Sequence, residues 1–183
     1  MKNNNMKDQL LKNPNADKLT VERIGKVHPF LREAVYCIYE EICNKVNSQY
    51  TRVRFSDTLR TFKEQDELYK QGRTKPGSKV TWVRGGGSYH NYGLAVDIVL
   101  IRDKDKNGSF EAASWDTIFD GDGDGIADWA ECVKIFNKYD WQWGLKRSNG
   151  TRYDLPHFQR TLGYTTKQLN ALPKDGDGYP IIK

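Results

Sequence analysis

One segment limits the fold of this chain more than any other: Gly93-Leu-Ala-Val-Asp-Ile-Val-Leu-Ile101. It is the strongest strand signal in the sequence, apolar on both faces except at Asp97. A carboxylate in the middle of such a strand costs several kcal/mol unless it is paired or binds a cation. Asp97 therefore requires a partner, and the rest of the chain has to supply it.

At 183 residues the chain suits one core of ordinary size and is too short for two independent domains. Apolar residues (37%) and aromatic residues (12%) are spread along its length, which excludes general disorder. No run approaches the roughly 20 apolar residues of a membrane helix. The opening MKNNNMKDQLLKNPNADK lacks the apolar core of a secretory signal, so a soluble chain made in the cytoplasm is expected. Cys37, Cys43 and Cys132 are odd in number and lack CxxC spacing, and read as small buried apolar residues.

Charge is unevenly placed. Residues 103–131 hold nine acids against two lysines, a local −7, which leaves +12 on the rest of a chain whose formal charge is +5. Such a surface suits a polyanion, either nucleic acid or an anionic cell envelope. No aromatic RNA-binding motif or dense Lys/Arg tract supports nucleic acid.

Along the chain, a polar N-terminal stretch precedes LTVERIGKV and then a helix entered through Pro29, with a stripe at Leu31, Ala34, Val35, Ile38, Ile42 and Val46. TRVRFSDT alternates as a short strand, and TFKEQDELYKQG is a helix that stops at Gly72. A long Gly-, Lys- and Ser-rich loop runs from Arg73 to Tyr92. After the acidic insert come a helix over about Ile126–Tyr139, the segments DWQWG and YDLPHFQ, and a short helix at TTKQLNAL. Trp141 and Trp143 read as core. The elements lack a βαβ rhythm, which predicts an α+β class.

Two of the three histidines have unusual settings, His90 behind the Gly85-Gly86-Gly87 loop and His157 in Asp154-Leu-Pro-His157. Two imidazoles and one carboxylate form the three-ligand set of a catalytic zinc site. Ser88-Tyr-His90-Asn-Tyr-Gly93-Leu-Ala-Val-Asp97 and Asp154-Leu-Pro-His157-Phe158 resemble the two signature segments of the VanY-like metallopeptidases, and Arg60–Leu68 resembles that family's R-x4-Q segment. The likeness runs over roughly residues 30–160. It implies a hedgehog/DD-peptidase-like single domain with a small mixed or antiparallel sheet and one zinc ion on His90, Asp97 and His157. It implies Asp154 as general base for the attacking water, and Arg60 as a stabiliser of the oxyanion or a holder of a substrate carboxylate. Gln65 and Ser88 are the other polar positions it places around the substrate.

Asp120-Gly-Asp122-Gly-Asp124-Gly125-Ile126-Ala-Asp128-Trp-Ala-Glu131 matches the calcium loop D-x-D-x-D-G-x5-E at every specified position. Asp120, Asp122, Asp124, Asp128 and Glu131 would supply carboxylates, and Ile126 its carbonyl. The preceding SFEAASWDTIF makes a poor helix, so a lone EF-hand-like loop is expected. Asp103-Lys-Asp105-Lys-Asn107-Gly108 begins like a second loop, but has Ser114 where an acid is needed, and reads as a hairpin turn.

The expectation is a flexible segment over 1–17, a peptidase domain over 18–172 with the insert at 103–131, and a C-terminal tail over 173–183. The expected activity is zinc-dependent cleavage of the L-alanyl-D-glutamate bond of the peptidoglycan stem peptide by a monomer, as an endolysin or wall-recycling enzyme, modulated by calcium. The enzyme would act on the wall after release from the cytoplasm, through a holin if phage-encoded. A D-alanyl-D-alanine carboxypeptidase of the same fold is the alternative, and a non-catalytic calcium- or wall-binding module is the alternative of another class.

Overall fold

The computed structural model describes residues 2–183. Its elements are α1 (Lys2–Lys12), α2 (Lys18–Ile24), α3 (Pro29–Lys45), β1 (Thr51–Asp57), α4 (Phe62–Lys70), a 3-10 turn (Tyr89–Tyr92), β2 (Ala95–Arg102), β3 (Ala112–Ser114), α5 (Asp128–Lys138), β4 (Gln142–Lys146), β5 (Arg152–Gln159) and α6 (Thr166–Ala171). The chain is α+β, with every strand pairing antiparallel.

The sheet runs β1-β2-β5-β4. Strand β2 takes β1 along one edge, while β5 and β3 share the other: Ala95–Asp97 pair with Gln159–His157, and Leu100–Arg102 with Ser114–Ala112. That explains why β2 is apolar on both faces: it has neighbours on both edges, Val96, Ile98 and Leu100 lie in the core, and Ala95, Val99 and Ile101 on the other face are buried too. Against Val53, Phe55, Ile98 and Leu100 pack Leu31, Val35, Ile38 and Ile42 of α3 and Trp129, Cys132 and Phe136 of α5. Burying each large side chain contributes about 1.5–3 kcal/mol. Helix α3 begins as its sequence suggests, with Pro29 in the first turn and His28 Nδ1 accepting from the Phe30 amide at 3.2 Å.

Residues 2–12, expected to be flexible, instead form α1. Leu10 is buried, with Met6 and Leu11 packed beside it. Helix α1 is polar and short, so tertiary packing on α3 and not its own propensity holds it. The C-terminal residues are also docked: the Tyr179 hydroxyl donates to the Lys26 carbonyl at 2.9 Å, and His28 Nε2 lies 2.9 Å from the Pro180 carbonyl. The turn after Asp103 is a β2–β3 hairpin, as expected, and no helix enters the loop at Asp120.

Asp17 ties this N-terminal layer to the sheet. It caps α2 through Thr20 and receives Arg54 Nε at 3.1 Å and Nη2 at 2.7 Å. Burial works to raise its carboxyl, but Arg54 and Thr20 outweigh that and leave it below the usual range. A depressed carboxyl stabilises the fold fully above the unfolded value near 3.9, and that contribution is lost as pH falls through the folded value. Asp17→Asn, which keeps the cap, is expected to lower unfolding free energy by about 2 kcal/mol at pH 7. In urea titrations this gap narrows as pH falls below about 4; a gap independent of pH would refute the charged role.

Candidate active site

The register of the sheet assembles the site. Asp97 in β2 stands opposite His157 in β5, and opposite Asp57 in β1 on its other side. His90 reaches the same point from the 3-10 turn. Ser88 starts this turn, with its Oγ accepting from the His90 amide at 3.3 Å. Gly93 ends it at φ 66°, where a Cβ would sit 2.6 Å from the His28 amide nitrogen. Only glycine allows that close approach.

Three ligand atoms converge there. Asp97 Oδ1 lies 3.1 Å from His90 Nε2 and 3.0 Å from His157 Nδ1, and the two nitrogens are 3.2 Å apart. His90 and His157 are buried, and the three residues form a group able to hold a metal ion. Each imidazole is oriented from behind. The other nitrogen of His90 lies 2.9 Å from the Thr58 carbonyl, and that of His157 lies 3.0 Å from Gln159 Oε1. A ring N–H given to those acceptors would leave the facing nitrogen's lone pair for a metal ion. Burial acts to raise the Asp97 carboxyl, but the charge of His90 and the bonds of both histidines hold it far below the usual range. Burial acts to lower His157, and Asp97 reverses that and raises it.

Asp154 enters the site through a bulge. Between the pairs Trp143–Phe158 and Leu145–Tyr153, β5 carries four residues against the single Gly144 of β4. Gly144 takes φ 59° and Asp154 φ 54°, a backbone that costs a non-glycine residue roughly 1 kcal/mol. The Trp143 indole pins the bulge by donating to the Leu155 carbonyl at 2.7 Å. Pro156 sits within it, where a missing N–H is harmless. Asp154 shares with His90, Asp97 and His157 a cleft of 490 Å³, rimmed by the exposed Trp82. Burial first, and then the charge of Asp97, raise the Asp154 carboxyl.

Arg60 lies 4.0 Å from Asp97 through Nη2, and donates to Asp57 from Nε and Nη2 and to Gln65 Oε1 from Nη1 at 2.8 Å. Three of its five N–H donors are thus used, leaving two. Gln65, expected among the substrate contacts, is fully buried. Its amide nitrogen donates to Thr81 Oγ1 at 3.0 Å and the Val83 carbonyl at 2.9 Å, so Gln65 orients Arg60 and the cleft wall and cannot itself meet substrate. Ser88 does line the cleft. Asp57, Thr58 and Gln159 belong to the site and were not anticipated. Gln159 had a signal, since it lies two residues from His157 and hence on the same strand face.

The loop Asp120–Glu131 winds on its own amides. Asp120 accepts from Gly123 at 2.6 Å and Gly125 at 2.9 Å, Asp124 from Ile126 at 2.7 Å, and Asp128 from Gly121 at 2.8 Å. Burial and then the neighbouring carboxylates push Asp128 up to about 6 and Glu131 up to about 7.

A family model described as D-alanyl-D-alanine carboxypeptidase, one of the M15 peptidases, matches residues 83–160, the stretch that holds His90, Asp97, Asp154 and His157. The peptidoglycan L-alanyl-D-glutamate endopeptidase CwlK of Bacillus subtilis (strain 168) is 41% identical over 134 residues, 73% of this chain and 72% of that protein. The crystal structure of the L-Ala D-Glu endopeptidase ChiX of Serratia marcescens aligns with 83% of this chain and 93% of its own at 18% identity, with a TM-score of 0.49. With the family model falling on His90, Asp97, Asp154 and His157, and with CwlK 41% identical over 73% of the chain, the chain belongs to the M15 family of metallopeptidases.

Proposed function

We propose that the protein is a zinc-dependent endopeptidase of the hedgehog/DD-peptidase-like fold that cleaves the L-alanyl-D-glutamate bond of the peptidoglycan stem peptide. The observation that carries this reading is the meeting of His90, Asp97 and His157 beside Asp154 in one cleft. Two imidazoles and a carboxylate with ligand atoms 3.0–3.2 Å apart fit zinc, whose tetrahedral ligands at about 2.0–2.1 Å lie roughly 3.3 Å from one another. When bound, zinc supplies a Lewis acid for the scissile carbonyl and lowers the pKa of water. Asp154, raised by its surroundings, takes the proton of the attacking water and passes it to the leaving amine. The two spare N–H groups of Arg60 face a carboxylate of the substrate. In a stem peptide that continues through the glutamate side chain, the α-carboxylate beside the cut bond is free for that contact.

The substrate choice rests on the CwlK likeness and on Asp154-Leu-Pro-His-Phe, where carboxypeptidases more often carry Glu before Pro-Trp-His. A terminal D-alanine would offer Arg60 a carboxylate as well, so Arg60 does not separate the two activities. Calcium in the loop Asp120–Glu131 belongs to the same reading as a modulator, and the basic remainder of the chain suits an anionic wall.

Digestion of purified peptidoglycan by the zinc-loaded protein is expected to expose new N-terminal D-glutamyl groups, and His157→Ala to expose none. Released D-alanine would instead establish the carboxypeptidase. Intact walls that retain bound protein would leave only a binding module.

A further inference from the structure

The loop Asp120–Glu131 has a shortage of positive charge that hydration does not relieve. Among the described residues, no Lys, Arg or His nitrogen lies within 4.0 Å of its five carboxylates. Ligand oxygens of Asp120, Asp122 and Asp128 lie within 4.8 Å of one another, and so do those of Asp122, Asp124 and Glu131, so that Asp122 joins the two groups. An exposed acidic cluster needs no ion, because water screens it. Asp128, however, is fully buried, and its Oδ2 has no hydrogen-bond partner. Glu131 Oε2 is buried and unpartnered as well.

A buried, ionised carboxylate oxygen without a donor is strongly unfavourable unless a cation faces it or a proton neutralises it. Gly121 packs against this oxygen, since a Cβ there would sit 2.8 Å from Asp128 Oδ2 and 2.6 Å from Thr51 Oγ1. An all-oxygen set of hard ligands selects a calcium-class ion over zinc.

Two of these ligands are also the first turn of α5, which begins at Asp128. The same helix carries Phe136, stacked on Phe158 at 4.1 Å with 22° between the rings. Phe158 follows His157, which faces Asp97 across the β2–β5 pair. The other end of the loop is held at the turn between α3 and β1, where Ser48 Oγ donates to the Gly121 carbonyl at 3.0 Å. A cation at Asp128 and Glu131 therefore anchors the helix that backs a metal-site histidine.

We propose that Asp120–Glu131 binds one calcium-class divalent cation, and that its occupancy sets the placement of His157 through α5 and the Phe136–Phe158 stack. The effect on turnover rests on the endopeptidase reading above; the binding does not.

The test uses the full, zinc-loaded chain in metal-stripped buffer. Calcium titrated in a calorimeter is expected to bind at one site and to raise Tm by about 5–10 °C at a hundredfold excess over Kd. Glu131→Gln and Asp128→Asn are expected to lose this shift while keeping the parent far-UV spectrum. His157→Ala, inactive, keeps it, so binding is read independently of catalysis. No heat and no shift in the parent, a shift that survives Glu131→Gln, or an equal shift from magnesium would each overturn the site. For the coupling, cobalt replaces zinc: its visible spectrum changes when calcium is added, and parent turnover rises about tenfold. In Phe136→Leu calcium still raises Tm, but the spectral change and the rise in turnover shrink. A spectrum and turnover that saturating calcium leaves unmoved would overturn the coupling.

Discussion

Asp97→Ala is expected to lose bound metal and wall-lytic turnover together, turnover by at least about 10³-fold. In the proposed zinc site, Asp97 is the ligand on which the other two would depend. It stands between them at 3.0 and 3.1 Å, and without it two imidazole nitrogens face each other across 3.2 Å with no negative charge between them. Two neutral donors without the carboxylate hold a divalent ion weakly, and the retained outer contacts to Thr58 and Gln159 keep the rings in place without restoring the charge. Metal analysis of the dialysed protein alongside a wall-clearing assay checks this. One zinc per chain in an active variant would refute the ligand assignment.

Asp154→Asn separates chemistry from metal binding. The amide keeps the volume of the side chain and the bulge that carries it, but cannot accept a proton, so turnover is expected to fall by about 10²–10⁴-fold. Zinc content stays at the parent level, because Asp154 is not among the converging ligand atoms. Stability does not fall either, since burial and Asp97 already disfavour the Asp154 charge. A variant within threefold of the parent would remove Asp154 from the mechanism.

Asp97 was legible because a carboxylate in an apolar strand needs a counter-charge wherever that strand ends up. The pairing of the two histidines with Asp97 was legible largely through the likeness of their segments to a known family, since His157 lies 67 positions after His90. Gln65 shows where such likeness stops. The R-x4-Q likeness suggested a substrate contact at Gln65, but burial against Thr81 and Val83 makes it a support for Arg60. Helix α1 was missed for a related reason, since its few apolar residues gain stability only from a surface on α3.

The sequence by itself determined the strand that carries Asp97 and the spacing of acids from Asp120 to Glu131. These depend on neighbours a few residues apart, which local backbone geometry brings together in any fold. The tertiary structure alone decided that β5 lies beside β2 in the register that sets His157 against Asp97. It also decided that four residues of β5 bulge over Gly144 to put Asp154 in the cleft, and that Asp128 is buried with an oxygen unpartnered. Register, bulge and burial come from packing between distant segments, and short-range periodicity does not encode them.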